Sequence, residues 1–333
     1  MAFGGADGPL GLRYDVVLLD LDGVVYRGSE LVPGATPAIA ALRRQGVRVG
    51  FVTNNASRSA TEVAAALEAL GVPAAPPEVV TSAQAAAAVL AARFPAGSAV
   101  LVTGSPALAE KVRAVGLRPV SAAADRPAAV VNGYFHGLCY ADLSEAALAI
   151  RGGAWWLATN LDATIPTPRG LQPGNGALTA LLRTATGQVP AAAGKPARPL
   201  LDEAIRRTGA TKPLFVGDRL DTDVAGAAAA GLDSLLVLTG VADAPDVLAA
   251  VPTERPTYLA RDLAALLAPY PQVSGSAVEA RCAGWRALAE GDGLRVTGAG
   301  DAMDALRALV ALTWAYVDEH GKRPESVTGL PAI

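Results

Sequence analysis

The chain has 333 residues, 51% of them hydrophobic, and a formal net charge of −3. That length suggests about two domains with substantial cores, and the slight acidity argues against a nucleic-acid or anionic-membrane surface, which requires basic patches. Cys139 and Cys282 lie far apart, and His136 and His320 are equally isolated, so a disulfide framework, a zinc site or a Ser-His-Asp triad lacks raw material, and both cysteines are expected to be buried small apolar residues.

The opening "MAFGGADGPLGLRYD" has neither the basic nor the apolar segment of a secretion signal. Nowhere is there a run of about 18 apolar residues to span a bilayer, so a soluble cytosolic protein is expected. "VVLLD" (16–20) reads as a buried strand leading into "DLDGVVY", where Asp20 and Asp22 stand two residues apart. Two readings of that pair stay open: an Asp-Gly turn, and a site in which residues i and i+2 of an extended segment point the same way. "TPAIAALRRQG" (36–46) has helical spacing, and "VRVGFVTNN" (47–55) is the next strand, ending in Thr53, Asn54 and Asn55. "SRSATEVAAALEALG" (57–71) reads as a helix with Ser57 as N-cap and Gly71 as its stop.

The middle of the chain carries a pattern of its own. "AVLVTG" (99–104), "AAVVNG" (128–133) and "AWWLATN" (154–160) read as strands, and "SPALAEKVRAVG" (105–116), "LSEAALAIRGG" (143–153) and "GALTALLRTATG" (176–187) as helices. The Ala-rich runs 83–92 and 225–230 read as tightly packed helices. An insertion of this length far exceeds a loop of an α/β unit. A separate small α/β domain over 83–189 is therefore expected, set into a first domain made of 1–82 and 190–267. In the second half of that first domain come "AGKPARP" with Lys195, then "PLFVGD" (213–218), "DTDVAGAAAAG" (221–231) and "SLLVLTG" (234–240). Alternating elements with strands apolar on both faces imply an α/β, Rossmann-like doubly wound parallel sheet. "APYPQ" (268–272) reads as a linker to an accessory α/β extension over 268–333. There "SAVEARCAGWRALAEG" (274–289) and "AGDAMDALRALVALTWAYVDEHG" (299–321) have helical spacing, with "GLRVTG" (293–298) as a strand between them. The stripe Leu306, Leu309, Val310 and Trp314 predicts docking on the core or on a partner chain, since so short a piece buries too little alone.

Asp20–Asp22, Thr53–Asn54, Lys195 and the carboxylates Asp218, Asp221 and Asp223 all follow predicted strands. In parallel sheets, ligands sit beyond the carboxyl ends of the strands. Each group has a plain alternative: Asp221 as an N-cap, Asp223 in the first turn of a helix, Thr-Asn-Asn as a loop, Lys195 as a surface charge. Gathered at one edge, several carboxylates would need a compensating cation. A small set of oxygen ligands suits Mg²⁺, which binds through one or two carboxylates plus a phosphate.

The four motifs "DLDGVVY", "TNN", "GKP" and "GDRLDTD" resemble those of the haloacid dehalogenase (HAD) superfamily of phosphatases, in particular its type IIA capped branch. That branch includes nitrophenylphosphatase-like, phosphoglycolate and glycerol-3-phosphate phosphatases. The resemblance covers residues 14–267 and extends to the cap segment "WWLATNLDATIPTPRGLQPGNGAL"; where relatives commonly carry an Asp after "VVNGY", this chain has Phe135. The resemblance implies Asp20 as the nucleophile that forms an aspartyl-phosphate, and Asp22 as general acid and then base. It implies Mg²⁺ held by the Asp20 side chain, the Asp22 carbonyl and Asp218, with Asp223 tying down its water shell. Thr53, Asn54, Gly23 and Lys195 would contact the phosphate.

Specificity is expected from the cap loop 160–176, through Asn160, Asp162 and Arg169, with Thr164 beside them. At least one of Trp155 and Trp156 is expected in the cap core. The expected activity is Mg²⁺-dependent hydrolysis of a small phosphorylated metabolite, glycerol 3-phosphate or 2-phosphoglycolate first, with no nucleic-acid or membrane partner and homo-oligomerisation left open. A phosphotransferase or mutase of the same fold, and a non-catalytic phosphometabolite sensor, are the alternatives.

Overall fold

Apolar runs that lack polar alternation become the buried strands of parallel sheets, as the computed structural model shows over residues 4–167 and 169–333. The chain divides into two compact units, the first made of Met1–Arg27, Leu31–Val49 and Thr211–Ile333, the second of Gly28–Glu30 and Gly50–Ala210. In the first unit, strands Tyr258–Ala260, Asp233–Val237, Pro213–Gly217 and Val16–Asp20 lie side by side in that order, all parallel. Val16 to Leu19 and Leu214 to Val216 are fully buried. Helix Ala35–Arg44 turns Ala35, Ala38, Ile39 and Leu42 inward at helical spacing and leaves its two arginines in the last turn, where a helix favours cations.

The C-terminal piece belongs to this same unit. Its helix, Ala302–His320, is capped by the Asp301 side chain and buries Leu306, Leu309, Val310 and Trp314, as the stripe predicts. Trp314 Nε1 donates to the Val247 carbonyl at 2.9 Å, and Arg307 Nε donates to the Leu259 carbonyl at 2.9 Å. Against the helix stands a five-stranded sheet that includes the segment expected to be helical, which corrects that expectation. Residues 274–289 form parts of three antiparallel strands, Val273–Gly275, Glu279–Cys282 and Trp285–Glu290. The alanines favour a helix. But Glu279 and Arg281 alternate with buried Ala280 and Cys282, a period of two, and the tight Ala283-Gly284 turn pairs Cys282 with Trp285. Nor is "APYPQ" a loose tether. Pro269–Tyr270 pairs with the N-terminal strand Ala6–Pro9, and Tyr270 is buried with its hydroxyl on the backbone of Leu259.

In the second unit, Phe51 to Thr53 pair in parallel with Val79 to Thr81. A five-stranded parallel sheet runs in the order Ala191–Ala192, Trp155–Ala158, Ala129–Asn132, Ala99–Thr103, Arg118–Val120. Trp156 packs in its core with Leu101, Val130, Ile150 and Leu182, whereas Trp155 is half-buried under the Arg93 guanidinium. Strands Thr164–Thr167 and Gly170–Pro173 form a hairpin. Helix Ala60–Ala69 starts one turn-half later than expected: Ser59, not Ser57, is its cap, because Glu62 three residues on returns a carboxylate to the Ser59 N–H. Ser57 instead bonds the Asn55 side chain. Cys139 is exposed just before helix Tyr140–Arg151, contrary to the expected burial, because it sits in the loop entering that helix; Cys282 is buried.

Candidate active site

The strand Val16–Asp20 delivers Asp20 at its carboxyl end, and Pro213–Gly217 delivers Asp218 immediately after its own. A wide helical turn over Leu220–Val224 then brings Asp223 back, so that its carboxylate accepts the N–H groups of Asp218 and Arg219 at 3.1 Å each. Carboxylate oxygens of Asp20, Asp218 and Asp223 all lie within 4.8 Å of one another, with Asp218 and Asp223 buried. The Asp22 carboxylate is not part of this group. Asp221 caps nothing: it is exposed and forms a two-point pair with Arg219.

Three glycines make the close approach feasible. A Cβ on Gly23 or Gly240 would come within 2.3 or 1.9 Å of Asp218 Oδ2, and one on Gly217 within 2.2 Å of the Asp223 Cβ. Gly23 also needs its left-handed conformation (φ 85°), and its N–H is used on the Tyr26 carbonyl. Asp218 Oδ2 in turn accepts from the Val241 N–H at 2.8 Å. Buried carboxylates this close repel unless a cation sits among them. An oxygen-only donor set of this size fits Mg²⁺.

In the second unit, Thr53 ends its strand nearly buried, and its hydroxyl accepts the Asn55 N–H. Asn54 is clasped to the Lys195 backbone: its Oδ1 accepts the Lys195 N–H at 2.8 Å, and its Nδ2 donates to the Lys195 carbonyl at 3.1 Å. Lys195 is only 3% exposed, which removes the alternative of a solvated surface charge. Of the cap residues, Asn160 is buried and donates to the Asn54 carbonyl at 2.7 Å, and the Asp162 carboxylate accepts from Asn54 Nδ2 at 3.2 Å. Arg169 stands exposed at the hairpin turn, its N–H on the Thr167 hydroxyl. Asn132 and Asn175 were not among the expected residues. Their signal was present in "VVNGY" and "PGNGAL": an Asn placed in an otherwise apolar strand or at a buried helix start must find partners.

The family of haloacid dehalogenase-like hydrolases matches residues 17–118, and a second profile of HAD-like hydrolases matches 192–266. Residues 282–330 match a GCN5-related N-acetyltransferase-like domain. The chain is 48% identical over 314 residues to the D-glycerol 3-phosphate phosphatase of Mycobacterium tuberculosis, covering 91% of this chain and 86% of that one. It is 38% identical over 230 residues to the 5′-nucleotidase YutF of Bacillus subtilis, covering 68% and 88%. A crystal structure of the glycerol phosphate phosphatase of M. tuberculosis in complex with magnesium superposes with a TM-score of 0.87 at 46% identity, over 97% of this chain and 95% of that one. From the paired profile matches and a relative shared nearly end to end, the chain belongs to the haloacid dehalogenase-like hydrolases.

Proposed function

We propose that this phosphatase hydrolyses glycerol 3-phosphate, or a phosphomonoester of similar size, through a phosphorylated Asp20. The observation that carries the choice of substrate is the 48% identity, over 91% of the chain, to a D-glycerol 3-phosphate phosphatase. Asp20, Asp218 and Asp223, with the Asp22 carbonyl, would hold Mg²⁺. When bound, the ion supplies positive charge that offsets the phosphate and lets an anionic nucleophile approach. Asp20 attacks phosphorus in line, its carboxylate oxygen forming the new P–O bond as the ester oxygen leaves. Asp22 protonates that leaving oxygen and afterwards takes a proton from the water that frees Asp20. The Thr53 hydroxyl, the Asn54 N–H, the backbone near Gly23 and the Lys195 ammonium hold the transferring phosphoryl oxygens.

In this reading residues 1–82 and 190–267 form the catalytic core, 83–189 the cap, and 268–333 an accessory piece. Arg169, the charged group at the turn of loop 160–176, selects the substrate. The enzyme works in the cytosol on a small metabolite; among the described residues no helix is long and apolar enough to cross a membrane. The test is a panel of glycerol 3-phosphate, 2-phosphoglycolate, a 5′-nucleotide and an aryl phosphate, each assayed with Mg²⁺ and with EDTA. Glycerol 3-phosphate is expected to show the highest kcat/KM, and EDTA to abolish turnover of all four. A 5′-nucleotide preferred by about tenfold or more would reassign the substrate.

A further inference from the structure

The clasp on Lys195 is the end of a longer chain of buried carboxamides. Trp156 Nε1 donates to Asn132 Oδ1 at 2.7 Å, and Asn132 Nδ2 donates to Asn175 Oδ1 at 2.9 Å and to the Thr179 hydroxyl at 3.0 Å. Asn175 Nδ2 donates to the Asn160 carbonyl at 2.7 Å, and Asn160 Nδ2 to the Asn54 carbonyl at 2.7 Å. Asn132, Asn160, Asn175 and Thr179 are all buried. Gly194 is part of the fit: a Cβ there would come within 2.6 Å of Asn54 Oδ1 and 2.7 Å of the Thr159 carbonyl. The Asn54 side chain thus bonds three groups, the Lys195 N–H, the Lys195 carbonyl and the Asp162 carboxylate.

Geometry sorts these contacts by what they can control. Asn54 Oδ1 and Nδ2 together grip both backbone polar groups of Lys195, so the orientation of the Asn54 amide sets where the Lys195 side chain begins. The Lys195 N–H only donates and its carbonyl only accepts, so these two groups set which end of the amide faces which. Asp162 adds a charge-assisted hold: both its carboxylate oxygens lie 3.2 Å from Asn54 Nδ2 and keep the NH₂ in place against the Lys195 carbonyl.

We infer that Asp162 is a positioning residue for catalysis: through the Asn54 amide it orients Lys195, and it does not select the substrate. The inference rests on the assignment of Lys195 to phosphate stabilisation given above, and it makes turnover, rather than substrate choice, depend on Asp162. A ligand held about 1 Å out of place costs up to about 10² in rate, and a mobile Lys195 would act on every ester alike.

The test compares Asp162→Ala, Asp162→Asn and Lys195→Ala on glycerol 3-phosphate and on an aryl phosphate, with melting temperatures for each. Asp162→Ala is expected to lower kcat about tenfold on both esters, with KM unchanged within about twofold and the melting temperature close to wild type. Asp162→Asn keeps an oxygen toward Asn54 Nδ2 and is expected to restore kcat to within about threefold. Three results would overturn the inference: a kcat at the wild-type level in Asp162→Ala, a KM rise on one ester only, or Asp162→Asn as impaired as Asp162→Ala. Lys195→Ala separates the two levels. If it is inactive while Asp162→Ala is normal, only the positioning role fails; if it turns over like wild type, the assignment of Lys195 fails and the positioning role with it.

Discussion

Single atoms decide the chemistry at the carboxylate group. The 1.9 Å between a would-be Gly240 Cβ and Asp218 Oδ2 leaves no room for even a methyl group, and both partners are backbone-fixed or buried. Gly240→Ala is therefore expected to weaken Mg²⁺ binding, read by calorimetry, by about tenfold or more, the range found when the surroundings of a metal ligand are disturbed. Gly46→Ala is the control: its Cβ meets nothing, so only its left-handed φ of 83° is penalised, by about 1 kcal/mol of stability. Equal effects of the two would contradict the cradle. The cysteines differ in the same local way. Burial, with the Asp304 carboxylate beside it, pushes the Cys282 thiol up to about 12, so it stays protonated at neutral pH, while Cys139 is exposed. A thiol reagent at pH 8 is expected to label one cysteine of the native protein and two after denaturation; two fast-reacting thiols in the native state would count against the buried position of Cys282. The gathering of Asp20, Asp218 and Asp223 was legible in the sequence because each ends or follows a strand of one parallel sheet. Which partners Asn132 and Asn175 would take was not, since a buried Asn identifies them only once the chain has folded around it.

At the scale of elements, period and turn compete with composition. The strands of the parallel sheets were readable because four or five consecutive apolar residues have no other use, and helix Ala302–His320 because its apolar stripe repeats at helical spacing. Residues 274–289 misled because alanine-rich sequence favours helix while the Ala283-Gly284 turn and the alternation of Glu279 to Cys282 favour a hairpin, and pairing with neighbouring strands decided. The same helix separates two kinds of contact. Leu306 is fully buried, so Leu306→Ala is expected to cost about 2–5 kcal/mol. The two-point pair of Arg255 with Asp318 lies half in solvent, so Asp318→Asn is expected to cost less than about 1 kcal/mol. Denaturant unfolding checks both, and a larger loss from the ion pair than from the leucine would contradict this account of how the helix is held.

For the whole molecule, the C-terminal piece and the carboxylate group share one compact unit, yet among the residues assigned to chemistry none lies beyond Asp223. A chain ending at Gln272, which keeps the Pro269–Tyr270 strand, is expected to melt lower or aggregate while retaining Mg²⁺-dependent turnover per folded molecule. A stable but inactive shortened protein would show that the piece serves the reaction itself. The central claim is that Asp20 carries the phosphoryl group, and trapping the phosphorylated protein tests it most directly. With labelled substrate and rapid acid quench, the label is expected on the peptide containing Asp20, and Asp20→Asn is expected to show neither label nor turnover; label on another residue, or turnover by Asp20→Asn within about tenfold of wild type, would contradict it.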